Sequence, residues 1–285
     1  MKFGVREICD VVFKAKATVK IGNTTFEKGQ PVLYIDSAKT STVEGAATTV
    51  YATGGRGNTR LIAWEGEKTL TFTVEDALLS PVGFAILSGA GLLKGSDEET
   101  VHVHTTAQAY SESGAIDLTD ALTSDEVICA DAPIYVIPTD VDGGLAGAPV
   151  KGTAADKTVT AEGTSGSVFV DFYVAKKSST VSEIQIDAAN FAGYYYVEAS
   201  TLFRRQADGV DMPAELTFPN VKIQSNFTFS MASTGDPSTF TFTMDALPGY
   251  TYFNPTRKVL CAIQIVEDAI ANNDTLATVF PCDHE

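Results

Sequence analysis

The sequence predicts a mainly β protein of antiparallel sheets with one flanking α-helix. Three observations carry this. Over residues 68–74, Leu70, Phe72 and Val74 alternate with Thr69, Thr71 and Thr73, the period of a strand buried on one face only. From Val168 onward such runs recur almost without a break, separated by turn residues. A single apolar stretch, centred on Ala77–Leu78 and Ala85-Ile86-Leu87 and stopped by Gly89-Ala90-Gly91, suits a helix.

The 285 residues suffice for one large β domain or two ordinary ones, and 44% hydrophobic with 20% charged residues is ordinary globular usage. No apolar run approaches the ~18 residues of a membrane span. Arg6, Glu7 and Asp10 interrupt the N-terminal region where a secretion signal needs an apolar core, so folding in a cytoplasm is expected. Cys9, Cys129, Cys261 and Cys282 are widely spaced with no CxxC pair, which indicates neither a redox motif nor a zinc knuckle and makes free thiols the default. The formal net charge is −16, from 36 acids against 20 bases. A protein gripping nucleic-acid phosphates needs the opposite balance. The surplus serves either plain solubility or a surface that repels phosphate.

Taken in order, residues 2–16 place Val5, Ile8, Val12 and Ala15 at roughly helical spacing and read as a short arm or helix. Residues 17–21 and 31–35 are β-rich and flank GNTTFEKGQ, so they are expected to pair as a hairpin. Residues 37–60 form a long arm of Thr, Ser, Ala and Gly with the flexible TGGRGN. Connections longer than ~12–15 residues are uncommon in compact domains and are usually functional or disordered. Val43, Val50 and Tyr51 are of little use to a linker, and Arg56 and Arg60 are bases in an acidic chain; these five residues point to an inter-subunit contact. The helix either spans 75–87, with Glu75 and Asp76 favourable in its first turn, or starts after Ser80 as N-cap with Pro81 at its first position. Between 94 and 166 the composition turns small, acidic and Gly-rich, with strand candidates at 100–106, 126–130 and 134–137 and a loop or hairpin tip at 139–158. Further strands are expected at 168–174, 183–186, 194–201, 215–218, 222–231, 239–244 and 259–266, the run at 222–231 pairing with that at 239–244, and a loosely held tail after Asp268. The organisation is thus 1–95, a loop-rich elaboration or small inserted domain at 96–166, and a β-rich part at 167–285. TLTFTVEDALLSP and TFTFTMDALPG echo each other, through chance or through duplication of a sheet unit.

Chemistry is scarce. His102 and His104 share a strand face but lack further metal ligands nearby in sequence; a solvated strand face is the simpler account. Asp140 and Asp142 lack the closing Glu of a calcium loop. GGRGN lacks the GK[ST] of a phosphate loop, and no Ser–His–acid or Cys–His set stands out. Glu65, Glu67 and Trp64 make a thin sugar platform with one tryptophan in the chain. No catalytic residue, cofactor or metal is expected. Arg204 and Arg205 suit salt bridges at an exposed strand end, between subunits if the chain assembles.

The order of these parts resembles the tail tube proteins of tailed bacteriophages, especially contractile-tailed ones. The likeness lies in residues 17–35, the arm at 37–60, the block NTRLIAWEGEKTLTFTVEDALLSPVGFAILSGAGLL and the run FPNVKIQSNFTFSMASTGDPSTFTFTMDAL. It implies a β-sandwich or barrel with one helix and a long inter-subunit loop, and assembly into hexameric rings, or trimers if tube domains are duplicated, stacked into a hollow, acid-lined tube. It further implies partners in the sheath, tape-measure and baseplate proteins, DNA passing through without specific binding, no membrane, and a place in the virion tail after assembly in the bacterial cytoplasm. Residues 94–166 have no counterpart in that likeness. A capsid decoration or baseplate β domain, and a module binding carbohydrate or a host surface, are the alternatives.

Overall fold

The computed structural model describes residues 2–123, 126–140, 142–228, 231, 233–234 and 238–267. The chain forms two compact units, one of Met1–Gly91 with Ile184–Glu285 and one of Leu92–Glu183. The first unit begins with β1 (Phe3–Val5), β2 (Asp10–Ala15), β3 (Val19–Ile21), β4 (Thr24–Phe26), β5 (Pro31–Ile35), β6 (Ala38–Gly54), β7 (Thr59–Asp76) and α1 (Pro81–Ser88). After β8 (Gly91–Lys94) come β9 (Val101–Glu112), β10 (Ala115–Asp117), β11 (Val127–Ile128), β12 (Tyr135–Pro138), β13 (Val150–Lys151), β14 (Thr153–Ala155), β15 (Thr158–Thr160) and β16 (Gly166–Lys176). The chain ends with β17 (Ser182–Gln185), β18 (Tyr194–Arg205), β19 (Asp211–Ile223), β20 (Phe240–Ala246), β21 (Gly249–Thr251), β22 (Asn254–Val259) and β23 (Ala262–Ile265).

The fold is mainly β and antiparallel, with one α-helix. In the first unit a nine-stranded sheet runs β5-β2-β18-β19-β20-β7-β6, with β1 also on β18 and β23 also on β19. Its two edge strands, β5 and β6, are joined only through Asp36 and Ser37. A few residues span at most ~3.3–3.6 Å each, so the sheet must curl until its edges meet, and it is nearly closed into a barrel. Across the seam the Cys9 amide donates to Ser41 Oγ at 3.1 Å. Phe13, Phe72, Phe218 and Phe242 fill the interior at zero exposure, with Ile86 and Leu87 of α1 against them. Phe72 stacks on Phe218 at 4.8 Å.

Several local expectations change. Residues 10–15 are a strand: Val11, Phe13 and Ala15 are buried while Asp10, Val12 and Lys14 are less so, and this two-residue alternation wins over the helical spacing of Val5, Ile8, Val12 and Ala15. Residues 17–21 and 31–35 do not pair. Gly22 takes a left-handed φ of 59°, turning β3 directly onto β4, while β5 lays Ile35 against Val11 of β2. The helix begins after Ser80, whose hydroxyl accepts from the Gly83 amide at 2.9 Å, and ends at Gly89 with φ 72°. A Cβ on Gly89 would stand 2.2 Å from the Phe191 backbone, so no other residue fits there. The echoing segments are direct neighbours: β20 pairs β7, placing Phe242 opposite Val74 and Met244 opposite Phe72. The strand expected at 222–231 ends at Ile223 of β19; Lys222 and Ile223 of that run pair with β20, and the Gln224 amide donates to the Thr243 carbonyl at 2.9 Å; residues 229–230 lie outside the described residues, as does the tail from 268. The run at 259–266 is divided between the last residue of β22 and β23.

The second unit holds an eight-stranded sheet, β13-β12-β16-β9-β10-β15-β14 with β11 on β16. The stretch expected as loop at 139–158 supplies β13, β14 and the start of β15, strands too short to show a period. Here too the edge strands adjoin in sequence: Gly152 alone links β13 to β14. A Cβ at Gly152 would meet Val159 Cγ1 at 2.8 Å and Ile134 Cγ2 at 3.0 Å. Inside lie Ile116, Ile134, Val136, Val159, Val170 and Phe172.

Candidate functional site

Residues 37–60 are not a loop. They form β6 and, with β7, a hairpin paired from Ala38↔Asp76 to Gly54↔Thr59, with register shifts between Ala38 and Thr40, Ala47 and Thr49, and Ala52 and Thr53. Its root belongs to the barrel. Phe72 and Val74 are fully buried, Ser37 Oγ donates to Asp76 Oδ1 at 2.5 Å, and the Ala77 amide donates to the Ser37 carbonyl at 3.1 Å. Glu75 accepts from Thr239 at 2.5 Å and Thr40 at 3.2 Å, and these two hydrogen bonds, Thr239 first, hold its carboxyl below the usual range. Beyond the root the pattern changes. From Glu44 to Thr53 on β6 and from Thr59 to Thr69 on β7, almost every residue is exposed, on both faces of the ribbon. A two-stranded hairpin with neither face covered is at best marginally stable in water.

The tip is shaped by its sequence. Gly55, Asn58 and Gly57 have φ of 77°, 50° and 90°, and the Asn58 amide donates to the Gly55 carbonyl at 3.2 Å, which closes the turn and carries Arg56 at its end. Directly paired residues share a face. One face therefore holds Val50 with Trp64 and Ala52 with Ile62. A Cβ on Gly54 would lie 3.4 Å from Leu61 Cδ1, so Leu61 joins that side. Val50, Leu61, Ile62 and Trp64 are 64%, 64%, 55% and 52% exposed, a contiguous apolar surface of the kind that marks an interaction site. The other face carries Tyr51, on whose ring the Arg60 guanidinium sits at 4.1 Å.

Of the residues singled out from sequence, Val50, Tyr51, Arg56 and Arg60 thus fall together on the outer half of this hairpin, and Val43 sits nearer its root opposite Phe72. Leu61, Ile62 and Trp64 were missed as members. The signal was available in the apolar run Leu61-Ile62-Ala63-Trp64, directly after the TGGRGN turn.

The model of the YomU/Tube protein family matches residues 4–254, a span that includes the hairpin, the second unit and the barrel up to β21, with β23 beyond it. The chain belongs to the YomU/Tube protein family. No curated protein matches it. Membership makes it a phage tube-type structural protein and a component of the virion tail. Among the described residues no helix is long and apolar enough to cross a membrane.

Other candidates in this tube-family chain find ordinary places. Arg204 grips Asp211 through two hydrogen bonds of 2.6 Å, and Arg205 grips Asp208 at 2.8 and 2.7 Å, so within the subunit both already have carboxylate partners. His104 Nε2 lies 2.7 Å from Asp171 Oδ1 on an exposed strand face, and among the described residues no group of three or more His, Cys, Asp and Glu could hold a metal ion. Asp140 Oδ1 accepts from the amides of Asp142 and Gly144, an ordinary turn. Cys9, Cys129 and Cys261 are free thiols; burial pushes the Cys261 thiol up to about 12, far from a reactive thiolate. Cys282 lies outside the described residues.

Proposed function

We propose that the chain is a self-assembling subunit whose copies join into rings, stacked as the hollow tail tube through which phage DNA is delivered. The observation that carries this is the outer half of the β6–β7 hairpin, uncovered on both faces and apolar on one. A ribbon so exposed is a liability in a lone subunit and a fastener in a closed ring, where every copy offers the same arm to the next. The outward side of β6, β7 and β20 supports the rest: Thr40, Thr42 and Glu44, then Thr71, Thr73 and Glu75, then Thr241, Thr243 and Asp245 line up across the three strands. A wall of hydroxyls and carboxylates stays wet and repels phosphate, as a conduit for DNA requires. Hexameric rings, with trimers as the alternative, and the sheath, tape-measure and baseplate proteins as neighbours complete the reading.

Negative-stain microscopy of the purified protein tests it. The intact chain is expected to form stacked rings or long hollow tubes that do not retain duplex DNA at moderate salt. Replacing residues 48–67 by Asn-Gly, a two-residue hairpin turn, is expected to leave a folded subunit that no longer polymerises. Normal tubes from that variant would refute the role given to the hairpin.

A further inference from the structure

The barrel carries a groove with the character opposite to the hairpin tip. A cavity of about 350 Å³ opens among Glu7, Ile8, Asp10, Leu202, Pro213 and Glu215, with Gln264 and Val266 on its far side. Register explains its composition. Asp10, Ser200, Glu215 and Gln264 are successive partners across β2, β18, β19 and β23, so their side chains form one row across the sheet. Ile8 and Val266, 39% and 49% exposed, stand as apolar walls.

The groove is also short of positive charge. Burial, then the Asp36 charge, pushes the Asp10 carboxyl above its usual range, against a hydrogen bond from Tyr34. Burial, then Glu198, pushes Glu215 up, against Lys14. The cations alongside are engaged: Lys14 pairs with Glu198 and Arg204 with Asp211. Among the described residues Glu7, Asp10 and Glu215 make no direct salt bridge; Glu7 acts on Arg204 and Lys14 on Glu215 only through the longer-range field.

We propose that this groove is the receptor for the hairpin tip of a second copy, seating Arg56 and Arg60 against Glu7, Asp10 and Glu215 and Leu61 and Ile62 against Ile8, Pro213 and Val266. The proposal rests on the reading of the hairpin as an inter-subunit arm and names where that arm goes. Charge complementarity decides the occupant. The hairpin tip carries Arg56 at its end, Arg60 on one face and the uncovered Leu61 and Ile62 on the other, and the groove concentrates carboxylates between apolar walls. Charge-assisted arginine–carboxylate hydrogen bonds fix register and orientation at such a contact, while the apolar flanks supply burial. The volume suits a few side chains, so the tip enters and the rest of the ribbon lies along the surface.

Charge reversal on the full-length chain tests this through the critical concentration for tube formation. Arg56→Glu with Arg60→Glu, and separately Asp10→Lys with Glu215→Lys, are each expected to raise it by about tenfold or more. The chain carrying all four substitutions, with a negative tip and a positive groove, is expected to recover most of the loss. Near-UV circular dichroism checks folding, and the milder Asp10→Asn with Glu215→Gln serves if the lysine pair misfolds. If the milder groove pair polymerises like the unaltered chain while replacement of residues 48–67 abolishes tubes, the groove is overturned and the assembly reading survives. If that replacement leaves tubes intact, both fall. A groove that exchanges hydrogen slowly in the lone subunit and is laid open by deleting residues 268–285 belongs to the chain's own C-terminal segment, which also overturns the proposal.

Discussion

Trp64→Ala separates what the hairpin does for its own subunit from what it does for assembly. In the lone subunit the side chain is 52% exposed, paired across the ribbon only with Val50. Truncating a fully buried tryptophan costs about 3–5 kcal/mol. If a neighbour covers the half that is exposed, the loss on assembly is about half of that, roughly 1.5–2.5 kcal/mol per contact. At 1.4 kcal/mol per factor of ten, the critical concentration rises by about ten- to sixtyfold. The unassembled subunit should barely notice, because surface changes away from the core stay within about 0.5 kcal/mol. Sedimentation of polymer across a dilution series gives the first quantity, and thermal unfolding below the critical concentration gives the second. A fallen melting temperature with an unchanged critical concentration would refute the reasoning, since Trp64 would then be supporting its own fold.

Three further outcomes follow from the geometry. Gly152→Val should destabilise the second unit by about 1–3 kcal/mol, because the new side chain meets Val159 and Ile134 at the seam; denaturant unfolding followed by a probe in residues 92–183 measures it. Ser80→Ala removes the cap on the Gly83 amide and should cost about 1 kcal/mol, read as a lower denaturation midpoint with tube formation retained once folded. For pH, Asp10 has a raised folded-state pKa, so its favourable contribution is complete below the usual aspartate value and is lost as pH rises through the raised one. Asp10→Asn should therefore stabilise the unassembled subunit at neutral pH and lose that advantage towards pH ~3. The environment being relieved consists of the buried surroundings of β2 and the Asp36 charge, partly offset by the hydrogen bond from Tyr34. A variant less stable than the parent at pH ~7 would contradict the burial argument.

How far the sequence could be read depended on one-sided burial. Strands such as β7 at its root, β16 and β20 have a wet face and a dry face, so their residues alternate, and they are legible. The outer hairpin has no dry face in the subunit, so Ala, Gly and Thr on β6 carry no period, and the segment reads as linker. The helix start was written in Ser80-Pro81 because capping is a local interaction. Pairing was less visible. Nothing near Asp10 announces that it will lie beside Ser200, Glu215 and Gln264, since that row exists only after four distant strands have taken register. The edge-to-edge closures through Asp36-Ser37 and Gly152 were equally hidden, being properties of sheet order.

The division of the first unit around the second sets a timetable for synthesis. Residues of the second unit are continuous and can fold as soon as they emerge. The barrel cannot, because β2 waits for β18, where Lys14 meets Tyr196. At ~5–20 residues per second this delay is on the order of ten seconds or more. For most of it the β6–β7 segment is already synthesised, while the strand that completes the row at Gln264 is almost the last to appear. On the proposed reading, a chain still on the ribosome lacks the finished groove, so a subunit becomes able to accept an arm only after β23 has been made.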